Sequence, residues 1–113
     1  MDTKNITDLV NFSPDGPVAE TLYETPRLWS QVVCLDANQQ LGPITDADSD
    51  GLFTVIAGEV VFQVNRGRRR AKQWTSAMVA AGDSVTVTNA TSDPAVVLIV
   101  AAPPPVPRPV VED

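Results

Sequence analysis

A chain of 113 residues with a net charge of −6 and no histidine is long enough to bury one modest core and too short for two domains. The acidic balance excludes a surface built chiefly to hold nucleic-acid phosphates, which requires cationic charge. An apolar fraction of 43% excludes a disordered chain.

Residues 2–26 carry Pro14, Gly16, Pro17 and Pro26 among short apolar patches, a pattern that permits brief strands or one helical turn around Ile6 to Phe12. The first dozen residues lack a cationic region followed by an apolar stretch, so no signal peptide is expected. No apolar run reaches the ~20 residues that span a bilayer. The expected location is the cytoplasm, with no membrane partner.

Trp29 to Asp36 reads as a strand, rich in Val and bounded by Pro26 and a polar ANQQ run that leads into a turn at Gly42-Pro43. Its Cys34 is the lone cysteine, which excludes an internal disulfide. In so apolar a run it reads as a small buried hydrophobe, since no histidine exists to activate it as a nucleophile. Leu52 to Ala57 is the next strand, Gly58-Glu59 a glycine turn, and Val60 to Val64 the antiparallel return. Asn65-Arg66-Gly67 supplies a turn before a basic loop, and Lys72 to Val79 a strand holding Trp74 and Met78. After a turn at Ala80 to Asp83, Ser84 to Thr88 alternates valine with hydroxyl residues, the two-residue period of a strand with one buried face. Asn89 to Pro94 is a turn cluster, and Ala95 to Ala101 a continuous apolar run, as in a strand covered on both faces. A proline-rich tail closes the chain. Helical spacing never persists, so the expected class is all-β, a sandwich or barrel.

Three stretches carry a resemblance: GLFTVIAGEVVFQV around Gly58, AAGDSVTVTN around Gly82, and SDPAVVLIVAAPPP at the end. In this order and spacing they resemble the motifs of the cupins, small β-barrels of the double-stranded β-helix (jelly-roll, RmlC-like) type. The resemblance implies an N-terminal arm over residues 1–28, a cupin barrel over 29–102, and a proline-rich tail over 103–113. In metal-binding cupins the first motif supplies two histidines and a glutamate seven residues before the turn glycine. Counting back from Gly58, these positions hold Ile44, Asp46 and Gly51 here, and the second motif offers no imidazole either. The resemblance therefore implies a cupin without the family's transition-metal site and with no cofactor. If Gly51 faces inward, strand alternation turns Phe53, Val55 and Ala57 inward with it, and Leu52, Thr54 and Ile56 outward. An interior so lined is either a filled core or an apolar pocket.

Other signals are weaker. Asp46, Asp48 and Asp50, followed by Gly51, match the opening of a calcium loop, but the position for the closing bidentate glutamate holds Ala57. Arg66, Arg68, Arg69, Arg70 and Lys72 place five of the eight basic residues in one short segment, read as a solubilising hairpin tip because no aromatic residues interleave for base stacking. Trp29 and Trp74 read as core or interface residues.

The expected function is a non-catalytic module that binds a small organic ligand at a barrel mouth formed by Gln39, Gln40, Ile44, Asp46, Phe53 and Val55, in a homodimer that covers open sheet edges. Two alternatives stand beside it. One is a metal-independent isomerase or lyase with Asp46 or Glu59 as base; the other is a structural dimer with a filled barrel. Cavity volume separates them, since ligand pockets start at about 300 Å³.

Overall fold

The computed structural model describes residues 1–105. Among them, nine strands follow a short 3-10 helix at Ile6–Leu9: β1 (Val18–Glu24), β2 (Trp29–Leu35), β3 (Gln40–Thr45), β4 (Asp50–Ala57), β5 (Glu59–Val64), β6 (Gly67–Lys72), β7 (Ser76–Val79), β8 (Ser84–Thr88) and β9 (Ala95–Ala102). They form two antiparallel sheets, β1-β2-β9-β4-β7 and β3-β8-β5-β6. The expected all-β class holds. The proline-rich tail expected over 103–113 lies outside the described residues from 106 onward.

The core lies between the sheets. Trp29, Val33 and Leu35 of β2, Phe53 and Val55 of β4, Val97, Ile99 and Ala101 of β9 meet Val60, Phe62, Val85 and Val87 from the opposite sheet. Phe53 and Phe62 touch edge to face, with ring centroids 6.2 Å apart, the arrangement aromatic quadrupoles favour. The run of apolar residues in β9 follows from its position between β2 and β4. Both of its faces are covered, one by the inter-sheet core and the other by a second cluster of Leu22, Val32, Cys34 and Val96.

That second cluster is roofed by the chain before β1: Ile6, Leu9, Val10 and Phe12 pack on it. Lys4 pins this segment by donating to the Leu22 carbonyl at 2.7 Å, its ammonium standing 5.0 Å from the Tyr23 ring centroid. Residues before Pro26 thus do more than the brief strands expected of them, since β1 is seven residues long and pairs with β2.

Five local expectations are corrected. Gly58 does not close a hairpin between β4 and β5, because β4 pairs with β7 and β9 while β5 pairs with β6 and β8. The chain there crosses from one sheet to the other so close to its neighbours that a Cβ on Gly58 would stand 2.5 Å from the Pro94 carbonyl oxygen; glycine is required by this contact and by its φ of +75°. Gly42-Pro43 is not a turn but an irregularity inside β3, where the register with β8 shifts between Leu41 and Ile44. The basic segment is not a loop: Arg68, Arg69 and Arg70 lie in β6, an edge strand held to β5 by its backbone ladder, and all three residues are exposed. The strand expected over Lys72 to Val79 shrinks to β7, and Trp74 sits before it in a turn with φ +73°, 72% exposed. Finally, a bulge between Val55 and Ala57 carries Ala57 to the outer cluster, while Phe53 and Val55 face inward as alternation requires.

One end of the barrel is sealed by Asn89, which is fully buried. Its amide nitrogen donates to the carbonyls of Leu35, Asp36 and Asp93, and its oxygen accepts from the backbone N–H and hydroxyl of Thr91. A single side chain thereby ties the end of β8 to the end of β2 across the two sheets. The opposite end stays open.

Candidate functional site

The open end is framed by the last residues of β3, the first of β4, the ends of β7 and β9, and the starts of β2 and β8. Between them lies a cavity of about 310 Å³. Its walls are Trp29, Ile44, Phe53, Val79, Val85 and Ile99, which are there because alternation directs them between the sheets. Trp29 is only 4% exposed, so its ring is a fixed wall.

One polar side chain interrupts this surface. Gln31 lies between Trp29 and Val33 on the inward face of β2 and lines the cavity, and among the described residues no hydrogen bond reaches its carboxamide. A carboxamide carries two donors and an acceptor that favour a partner. Sequence reasoning misses Gln31, because one glutamine in a valine-rich strand has no motif; the available signal is its place in the alternation Trp29, Gln31, Val33.

The rim is acidic. Asp46, Asp48, Asp50 and Asp83 line the entrance, and no lysine or arginine does so among the described residues. Asp46 Oδ1 accepts the backbone N–H groups of Asp48 and Ser49, each at 2.8 Å, and Asp50 Oδ1 accepts that of Ala81 at 2.9 Å. Both carboxylates thus order the loops 46–49 and 80–83. The side chains of Asp48 and Asp83 make no hydrogen bond to the described residues. Ser49, buried beside them, donates its hydroxyl to the Pro103 carbonyl and ties the start of β4 to the chain beyond β9.

Of the six mouth residues expected from the sequence, the structure brings Ile44, Asp46 and Phe53 to the cavity. Val55 is deeper, fully buried in the core. Gln39 and Gln40 lie at the sealed end, since β3 runs the length of the barrel at roughly 3.3 Å per residue. There Gln39 donates to the Ser13 carbonyl and accepts from the Asp36 N–H, and Gln40 accepts from the Thr88 hydroxyl. Glu59 is also remote, paired with Arg70 across β5 and β6.

The three positions matched to the family's first metal-binding motif, Ile44, Asp46 and Gly51, do converge on this mouth. The residues present do not fit a transition metal: they offer a single carboxylate, with an oxygen already accepting two N–H groups, while β8 contributes Val85 and the only thiol, Cys34, is in the outer cluster. First-row metals take three or more nitrogen, sulfur or carboxylate ligands from the protein. The calcium alternative at Asp46, Asp48 and Asp50 meets a similar obstacle, as no three acidic, cysteine or histidine side chains among the described residues converge closely enough to hold an ion. No described helix is long and apolar enough to cross a membrane.

No family profile and no curated protein matches the sequence. Solved structures do match. TT1209 from Thermus thermophilus superposes with a TM-score of 0.89 at 25% identity, over 93% of this chain and 100% of that one. An uncharacterized conserved protein with a double-stranded beta-helix domain from Klebsiella pneumoniae gives 0.85 at 20% identity, over 91% and 90%. An RmlC-like cupin protein from Desulfovibrio desulfuricans gives 0.83 at 20%, over 92% and 98%. With two antiparallel sheets closed around one core and these neighbours in shape, the chain has the double-stranded β-helix fold of the cupin superfamily.

Proposed function

We propose that this protein is a small-molecule-binding module whose ligand enters the open end of the barrel. One observation carries the reading: the cavity of about 310 Å³ walled by buried aromatic and aliphatic side chains, with the Gln31 carboxamide inside it making no hydrogen bond to the described residues. A filled barrel leaves no such volume, and pockets that take small organic molecules start near this size. Binding is favoured over chemistry with Asp46 or Glu59 as base because Asp46 commits an oxygen to loop backbone at the rim and Glu59 is paired with Arg70 away from the cavity. The protein acts in this reading as a cytoplasmic homodimer, which the apolar pair Leu52 and Met78 on the outer face of β4 and β7 supports; light scattering that returns a monomer removes the dimer.

The test is a fluorescence titration of Trp29 in a Trp74→Asn background, using 2-phenylethanol, 2-phenylethylamine and phenylacetate as probes. Saturable binding of at least one probe, abolished by Ala101→Phe at the cavity wall, supports the reading. No saturable signal from any of the three at millimolar concentration, or one that Ala101→Phe leaves intact, overturns it.

A further inference from the structure

Resting on that reading, we propose that the cavity selects molecules with an apolar body and a positively charged nitrogen, and rejects anions.

Charge is distributed unevenly over the molecule. Four aspartates stand around the entrance with no cationic side chain among the described lining residues, and five of the chain's eight basic residues lie at 66–72, on and beside the edge strand β6. An anion entering the mouth gives up water beside four carboxylates, with no cationic side chain among the described lining residues to offset its desolvation. A cation approaches a negative field focused by low-dielectric walls.

The interior favours the same guest independently of the rim. Trp29 and Phe53 present aromatic surface beside the entrance, which attracts an ammonium as well as hydrocarbon. The Gln31 carbonyl oxygen is free of hydrogen bonds to the described residues and able to accept from an N–H of the guest.

The spacing of the aspartates distinguishes an organic cation from a metal ion. The carboxylates ring the opening without converging on one point, and Asp46 and Asp50 are held by backbone N–H groups. Such an array attracts a diffuse positive charge but lacks the close oxygen cage that calcium requires.

The test compares three near-isosteric probes in the Trp29 titration: 2-phenylethylamine, 2-phenylethanol and phenylacetate. At low ionic strength the amine is expected to bind roughly tenfold tighter than the alcohol, as the sum of several partly screened charge contacts, and phenylacetate weakest. Added sodium chloride should compress the amine's advantage while leaving the alcohol's affinity nearly constant. The double variant Asp48→Asn/Asp83→Asn should lower amine affinity several-fold more than alcohol affinity; if it fails to fold, the salt series makes the same discrimination. Amine and alcohol binding equally, or phenylacetate binding as tightly as the amine, overturns the selectivity while leaving the binding module standing. Calcium chloride at millimolar concentration raising the melting temperature and displacing the amine overturns it as well, in favour of a metal at the rim. Absence of binding by all three probes removes the binding reading and this inference together.

Discussion

Trp29 and Ala101 stand directly opposite each other on β2 and β9, and both line the cavity. The smallest chiral side chain faces the largest across one ladder, and the space left between the sheets is in part the volume alanine leaves unfilled. Ala101→Phe is therefore expected to occlude the cavity at little cost, within about 1.5 kcal/mol of the parent, because it enlarges a side chain into existing space. Urea denaturation measures the stability and probe titration the loss of binding; a large destabilisation would show the wall to be already close-packed.

Asn89 is expected to be the costliest polar side chain to remove. Asn89→Leu strands the carbonyls of Leu35, Asp36 and Asp93 and removes the acceptor of two Thr91 bonds, which predicts a loss of about 3 kcal/mol. Because this clip is at the sealed end, probe affinity of the folded variant should stay within about twofold of the parent. A drop in affinity parallel to the drop in stability would mean that the two ends are coupled.

Gly58→Ala should destabilise by more than about 2 kcal/mol, combining a left-handed backbone with a collision against Pro94 and Ala95. Gly82→Ala provides the control, since its φ of +90° carries similar strain but no atom stands within 4 Å of the added Cβ. Equal losses in the two variants would show that the close contact contributes nothing.

Trp74 occupies left-handed backbone and exposes most of its ring. Asparagine accepts that conformation more readily, so Trp74→Asn should raise the melting temperature or leave it unchanged. A clear decrease would reveal a packing role for the ring.

Burial pushes the Cys34 thiol up from its ordinary value, opposed by a backbone hydrogen bond at Asn11 and reinforced by the charge of Glu20. The thiol stays protonated in the folded protein to a higher pH than in the unfolded chain. Its contribution to stability is thus complete below the unfolded value and is lost as pH rises from there through the folded one. Cys34→Ala should flatten this alkaline limb of the stability curve. Thiol-specific reagents should label Cys34 at neutral pH only when the chain unfolds; rapid labelling of the native protein would contradict its burial.

The strand pattern of β2, β4, β8 and β9 is legible in the sequence because each shows a two-residue period or an unbroken apolar run. What stays hidden is partnership. Nothing local to Gly58 distinguishes a hairpin from a crossing between sheets, because both need the same backbone; the reason for glycine is Pro94, 36 positions away. The basic run in β6 reads as a loop for a related cause, as an edge strand takes its hydrogen bonds from the ladder and leaves its side chains free of any apolar pattern. At the mouth, Ile44, Asp46 and Phe53 are reached through motif spacing. Gln31, Asp83 and Trp29 join them only through the pairing of β2 with β9 and the meeting of two loops, which spacing within a single segment does not encode.

Strand β9 is the last strand of the described chain and the middle one of its sheet. A ribosome that has not yet released residues 95–102 has therefore made a half-built sandwich, in which β2 and β4 lack the neighbour that joins them. Two sticky, valine-rich borders stay bare until translation of the barrel is nearly over. Premature termination before Ala95 should yield aggregates rather than a smaller soluble product.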